Sequence, residues 1–252
     1  MVRNNHFNDH RRQLDRLWRA DTSDRECATW QQALGYARSI ALLENVMVVV
    51  SDMADRRSHI ISGGFASQLG LAGYNIEDSI WEHRILSLMS PAEQEGKYIA
   101  ELRFYHYLKH IPRNKKPEYY MMSKLRLTFA DGSTRDVLHR MYYLYDNDND
   151  SVRYAVCTYG PLSFEFSGKS LAVNSVTGVA EELTSGRDDT ILSRRQRQVL
   201  SLIDAGLKSA EIASRLNVSI HTVSRHRQDI LDRLQVKNSH EACRLAKQLS
   251  LL

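Results

Sequence analysis

LSRRQRQVLSLIDAGLKSAEIASRLNVSIHTVSRHRQDILDRLQVKNSHEA, from Leu192 to Ala242, is the stretch whose reading decides the fold. It reads as four short helices, each with its own start signal. Ser193 precedes RRQRQVLSLI with Gln196 three residues on, a capping-box arrangement. Val199, Leu200 and Ile203 make its apolar stripe, and Gly206 supplies a left-handed stop. SAEIASRL follows, with Ser209 as its expected cap and Ile212, Ala213 and Leu216 turned inward. Three residues, Asn217-Val218-Ser219, then lead into a third helix, and a turn of that length between two patterned helices is the helix-turn-helix layout. Ser219 is expected to accept from the Thr222 amide. The fourth helix starts at Asn238 with Glu241 as its box partner, and carries Ala242, Leu245, Ala246 and Leu249 at helical spacing.

The third helix separates into two faces. Val223, Ile230, Leu231 and Leu234 point to a core, whereas His221, Ser224, Arg225, Gln228 and Asp232 recur at steps of three and four on the opposite side. An α-helix fits the major groove of B-DNA, and the outward residues near its N-terminus then reach base edges. Arg225 suits the two acceptors of guanine and Gln228 the donor–acceptor pair of adenine; Ser224 is short enough for either, and His221 shares their face. Lys208, Ser209, Thr222, His226 and Arg227 flank that face and are expected at phosphates, which give affinity but little sequence information.

The stretch resembles the LuxR-type (NarL/GerE-like) DNA-binding domain, over about a quarter of the chain. The resemblance rests on Leu192, Arg195, Arg197, Val199, Leu200, Gly206, Glu211, Ile212, Leu216, Ser219, Thr222, Val223, His226, Ile230, Leu231, Leu234, Val236, Asn238 and Glu241, among others. It implies that the third helix enters the major groove, with Ser224, Arg225 and Gln228 as base readers, and that the fourth pairs with its copy through Ala242, Leu245, Ala246 and Leu249. This chain departs from the family pattern at Gln196 and Gln198, where two glutamates are usual. It departs again at Lys208 (usually a small polar residue), at Ser224 (frequently Lys) and at Ser239 (frequently Arg). The loss of that lysine leaves open which bases are read.

Charge follows the same division. The 252 residues carry 34 Lys and Arg against 30 Asp and Glu. From Arg187 onward there are twelve basic and seven acidic residues, so the basic excess falls on the proposed DNA-reading part, as an electrostatic footprint does. MVRNNHFNDHRRQLDRL has no apolar core of the signal-peptide kind, and no uncharged apolar run approaches eighteen residues, so no membrane span is expected. Cys27, Cys157 and Cys243 are scattered, without metal-ligand spacing, which fits reduced thiols in a cytoplasmic protein.

Upstream, His10 to Ala20 reads as a short charged helix with Leu14, Leu17 and Trp18 on one side. A second helix runs from about Ala28 to Leu43 with Trp30, Leu34, Ala37 and Ala41 as its stripe; it either pairs with its copy or covers a sheet. NVMVVVSDM and SHIIS read as strands about a polar turn, Ala54 to Arg57, and FASQLGL as a short helical turn. Ser90 caps a long helix, with Pro91 at its first position and Glu93 closing the box, running to about His110. Lys124, Arg126 and Thr128 alternate with Leu125, Leu127 and Phe129, a half-buried strand. Asp131-Gly132 is a hairpin signal. Thr134–Tyr145 and Val152–Tyr159 are two further strands around an Asp/Asn turn.

Strand, strand, short helices, long helix and three antiparallel strands is an order that resembles a PAS domain, over roughly Asn45 to Pro161. The expected fold class is therefore α+β: an antiparallel-sheet PAS-like domain plus an all-α four-helix helix-turn-helix domain. The expected division is N-terminal helices at 1–44, the PAS-like sensor or dimerisation domain at 45–165, a hairpin and linker at 166–190, and the helix-turn-helix domain at 191–252.

Other constellations are weaker. Asp146, Asp148 and Asp150 mimic the start of a calcium loop, but Ser151 and Cys157 stand where glycine and glutamate are needed. His106 and His110 lie four apart, as in a haem-binding helix, without a nameable partner; exposed positions suit both. Asp52 and Asp55 fit turn residues, since the parallel-sheet pattern of a phospho-acceptor domain is absent. Tyr142, Tyr143, Tyr145, Tyr154 and Tyr159 either line a small-molecule cavity or are ordinary sheet residues, which aromatics favour. No catalytic pair is visible, so no enzyme is expected, and no cofactor or metal is assigned beyond an unidentified small-molecule ligand of the PAS-like domain. The reading is a dimeric DNA-binding transcriptional regulator with double-stranded DNA and a second copy as partners, and RNA polymerase as a further candidate. The alternative is a ligand-binding or adaptor protein whose helix-turn-helix domain serves partner contact.

Overall fold

The computed structural model describes residues 11, 12, 14, 30–145, 151–166, 168, 170–183, 192–234, 236, 238–248, 251 and 252. The chain divides into two compact units, Met1–Leu183 and Thr184–Leu252.

The first unit is built on one eight-stranded sheet. Its elements in order are α1 (Trp30–Glu44), β1 (Met47–Asp52), β2 (Arg57–Ser62), α2 (Phe65–Gln68), β3 (Ile76–Glu77), α3 (His83–Leu86) and α4 (Pro91–Leu108). A 3-10 turn (Arg113–Glu118), β4 (Tyr119–Thr128), β5 (Thr134–Tyr145), β6 (Val152–Pro161), β7 (Ser170–Asn174) and β8 (Ala180–Glu182) complete it. The spatial order is β3-β2-β1-β6-β5-β4-β7-β8, and every neighbouring pair is antiparallel. The PAS-like order read from the sequence is the order found. The hairpin of β7 and β8 joins the sheet through β4 rather than standing apart from it.

The unbroken apolar run of β1 has a physical reason: all six of its residues are buried, because the central strands are covered on both faces. On one face Ala33, Leu34, Ala37 and Ala41 of α1 pack on Val48, Val50, Tyr154 and Val156. The other face carries Met47, Val49, Met141, Tyr143, Cys157 and Tyr159, all buried. α1 thus covers the sheet, and leaves Tyr36, Leu42 and Leu43 exposed on its outer side.

Several local expectations are corrected. Glu93 does not close a box at the start of α4: Ser90 Oγ accepts from the Glu93 amide at 3.2 Å, but the Glu93 carboxylate turns away and accepts from the Arg126 amide at 3.2 Å. It staples helix to sheet instead. α4 ends at Leu108, two residues short of His110. His106 is buried, not exposed; burial, with help from Lys109 and His110, pulls its pKa down to about 3. Asp52 is a buried turn residue that accepts from the Ala54 and Asp55 amides and pairs with Arg153 at 3.1 Å. Of the expected helix at 10–20, Arg11, Arg12 and Leu14 are helical and Leu14 is buried; the rest, the Asp146–Asp150 turn and Cys27 lie outside the described residues.

The second unit is all helical: α5 (Arg194–Asp204), α6 (Ser209–Leu216), α7 (Ile220–Leu234) and α8 (Ser239–Gln248). Its core gathers the inward positions of all four, among them Val199, Leu200, Ile212, Val223, Ile230, Leu234, Ala242 and Leu245. Among the described residues no helix is long and apolar enough to cross a membrane.

Candidate nucleic-acid interface

The site is held by helix ends whose backbone groups are satisfied one by one. Ser193 Oγ accepts from the Gln196 amide and Gln196 Oε1 from the Ser193 amide, at 3.2 and 2.8 Å, so the expected box is closed. The Gln that replaces a family glutamate here keeps the needed acceptor. α5 stops in a Schellman arrangement: Gly206, at φ +85°, donates to Ile203 O, and Leu207 donates to Leu202 O.

α6 differs from expectation at its start. Lys208, not Ser209, occupies the cap position, and its amide is held by Glu211 Oε2 at 2.6 Å. A lysine side chain has no acceptor to offer the helix amides, so only the glutamate half of the box is made. α6 ends on Asn217 in the left-handed region, φ +52°. Asn217 donates to Ser214 O and Val218 to Ala213 O, so asparagine does at this turn what glycine does after α5. Arg195 reaches across from α5 and donates to Leu216 O at 2.7 Å, closing the C-terminus of α6 with a cation. Ser219 then caps α7 through the Thr222 amide at 3.0 Å.

These constraints set the rotation of α7. Val223, Ile230 and Leu234 are buried, while His221, Ser224, Arg225, Gln228 and Asp232 are exposed together on the other side. Gln228 Nε2 donates to Asp232 Oδ1 at 2.9 Å, an exposed bond within that face. A row of short and planar polar side chains along one flank of a helix presents donors and acceptors to the edges of stacked bases.

The flanking residues divide. Lys208 is exposed. Arg227 is half-buried and donates to Ser209 Oγ and Ser239 Oγ, both at 3.0 Å. One guanidinium thus ties together the first residues of α6 and α8 from the middle of α7. The sequence signal for this was available but ambiguous: Ser209 and Ser239 each open a helix, and Arg227 sits one position off the exposed row. Thr222 is half-buried and shares a 2.8 Å bond with Ser219, and His226 is half-buried with Nδ1 enclosed.

The expected pairing stripe is corrected. Ala242, Leu245 and Ala246 are 0–2% exposed inside their own unit, where α8 packs on α5 and α7. They are core residues, and their helical spacing marks burial rather than a surface for a second copy. Leu249 lies outside the described residues.

Residues 190–246 match the family described as bacterial regulatory proteins, luxR family. The transcriptional activator protein EsaR of Pantoea stewartii is 36% identical over 73 residues, 29% of this chain and 29% of that protein. The transcriptional regulatory protein UhpA of Escherichia coli is 39% identical over 66 residues, 26% of this chain and 33% of that protein. The chain spans about a third of the length of the curated relatives it matches. Among solved structures, the VqmA dimer of Vibrio cholerae is 14% identical across 87% of each chain, with a TM-score of 0.31. The four helices, their three-residue turn and the family match coincide, and residues 190–246 of this chain are a luxR-family helix-turn-helix domain.

Proposed function

We propose that this chain is a sequence-specific, dimeric DNA-binding transcriptional regulator whose DNA binding is controlled by its PAS-like unit. The observation that carries the reading is the exposed row His221, Ser224, Arg225 and Gln228 on α7, the third helix of a luxR-family helix-turn-helix domain. In this reading Arg225 takes a guanine, Gln228 an adenine once it exchanges Asp232 for the base, and Ser224 and His221 adjust to neighbouring positions. Lys208 contacts phosphate directly. Ser209, Thr222, His226 and Arg227 meet the backbone from the rim, where helix N-termini favour anions.

The working division is 1–44, 45–165, 166–190 and 191–252, with the third segment as connection. With Ala242, Leu245 and Ala246 enclosed, the exposed Tyr36, Leu42 and Leu43 of α1 offer the apolar strip on which a second copy would pair. A dimer places two readers on half-sites about one helical turn apart. The setting is the cytoplasm, double-stranded DNA is the partner, and RNA polymerase is the partner an activator would recruit.

Selection of bound duplexes from a random pool by the purified chain tests the proposal. A selected site with two related halves is the expected result. Failure to enrich any sequence, together with no binding to random duplex in dilute salt, would refute it and favour an adaptor, because an adaptor needs no counterion-release slope. Ser224 in place of a cation is the one feature that points toward the adaptor.

A further inference from the structure

The space between the sheet and α4 holds a charged cluster that neither the fold nor the DNA-reading surface requires. Lys97 and Glu101, one turn apart on α4, are 2.5 Å apart, and Lys97 Nζ is 3.2 Å from Glu82 Oε2, just before α3. All three are 2–4% exposed. Tyr159 donates to Glu82 at 2.7 Å from β6. His139 on β5 is stacked on Tyr159 with ring centres 4.8 Å apart, and its Nδ1 is 3.0 Å from Ser123 Oγ on β4. Cys157 lies close enough to Glu82, Lys97 and Glu101 to feel all three charges, and Tyr143 close enough to feel Glu101.

Two properties of this cluster point to a ligand. The first is its charge: two carboxylates face one ammonium in an enclosed setting, an excess of one negative charge. An uncompensated buried charge is costly. The second is its unused hydrogen-bonding capacity. Tyr143 OH and His139 Nε2 are buried without a hydrogen-bond partner among the described residues, and buried polar groups are ordinarily paired. Both come from β5, whose inward face looks onto the same cluster. Burial holds the His139 imidazole neutral, well below its ordinary pKa, with Lys97 adding to the effect. When Nδ1 carries the proton toward Ser123, Nε2 is an acceptor. The Tyr143 oxygen is a second, and burial keeps that hydroxyl protonated.

We propose that this interior is a binding site for a small organic monocation, a primary ammonium or amidinium on a compact apolar body. Glu101 and Glu82 supply its counter-charge, and Tyr143 and His139 accept from it. The proposal rests on the reading of this unit as the signal-receiving part of a regulator, and names the chemistry of the signal. In the absence of the cation a proton on Glu101 plays its part: burial raises the pKa of that carboxyl, against the pull of Lys97.

The test uses the full chain. Methylammonium, n-butylammonium, benzylammonium and acetamidinium chlorides are titrated by calorimetry and thermal unfolding, each beside an uncharged counterpart (methanol, n-butanol, benzyl alcohol, acetamide). At least one cation is expected to bind and to exceed its neutral counterpart by about tenfold or more in affinity, the scale of one buried charge interaction. Glu101→Gln, which keeps the shape and removes the excess charge, is expected to abolish that preference. Equal binding of cation and neutral partner, or no binding by any of the four cations, overturns the proposal. If Glu101→Gln does not fold, the wild-type comparison still decides. The same samples are titrated with duplex DNA: DNA binding without cation binding removes only this assignment, whereas loss of DNA binding removes the regulator reading itself.

Discussion

Arg225 and Arg227 are two residues apart, and the structure predicts opposite consequences for their loss. Arg227→Ala removes two hydrogen bonds of 3.0 Å from a half-buried guanidinium to Ser209 and Ser239. Bonds to a charged group contribute about 1.5–3 kcal/mol each when enclosed. Partial exposure screens them, so the pair together is worth about 1–3 kcal/mol. In a unit of this size 1 kcal/mol moves the melting temperature by about 4–8 °C, which places the expected loss well outside error. Arg225 is exposed, and its replacement by alanine should change stability by no more than about 0.5 kcal/mol. Its cost falls on recognition: about 1–3 kcal/mol of specific affinity, with relaxed preference at one base pair. The assay is scanning calorimetry of the full chain together with fluorescence anisotropy on a selected duplex and on a scrambled one. Arg227→Ala should lower the transition of the helical unit and weaken both duplexes alike. Arg225→Ala should leave the transition in place and weaken the selected duplex alone. If the two phenotypes are exchanged, or if Arg225→Ala retains the full preference, the assignment of α7's faces is wrong.

Further outcomes follow from single geometries. Asn217→Gly should be tolerated and Asn217→Val should cost about 1–3 kcal/mol by chemical denaturation, because φ at this turn is positive and a β-branched residue is strained there; equal stabilities would contradict the left-handed turn. Ser219→Ala removes the cap of α7 and should cost about 1 kcal/mol, measured the same way, with no loss contradicting the cap. His106 refuses a proton until about pH 3, whereas the unfolded chain takes it near 6.5. The unfolded state therefore binds more protons between those values, and stability is lost as pH falls through that window, at about 1.4 kcal/mol per unit. His106→Gln should flatten the slope below about pH 5.5 by about that amount, and parallel curves would count against it. Lys208→Ala should weaken all duplexes alike and reduce the salt slope by about one phosphate contact; a sequence-selective effect would contradict its role.

The helical unit was legible almost to the residue because its signals are local. The box of Ser193 and Gln196, the stop at Gly206, the turn at Asn217 and the cap at Ser219 each act within a few residues of chain. What escaped were contacts across the fold. The bond from Arg195 to Leu216 O and the Arg227 brace span 12 to 21 residues, and no periodicity announces them. The stripe of α8 shows the limit of pattern alone: Ala242, Leu245 and Ala246 at helical spacing announce an apolar face, but not whether that face meets its own core or a second copy. In the sheet unit, strand alternation placed β4 and β5 well. Glu93 looked like a capping residue until its carboxylate proved to be taken by Arg126, 33 residues on. The charged interior was invisible for a different reason. No motif in the sequence singles out Glu82, Lys97 or Glu101, and their burial comes with the packing of α4 on the sheet.

The central claim is that the exposed flank of α7 reads DNA. The most direct measurement is an anisotropy titration of the full chain against a selected duplex and its scrambled counterpart, at several salt concentrations, for the wild type and for a variant with Ser224, Arg225 and Gln228 all changed to alanine. The wild type should prefer the selected duplex by about 10³-fold or more and weaken steeply with salt; the variant should keep the salt dependence and lose the preference. A wild type without preference, or a variant that retains it, would contradict the account.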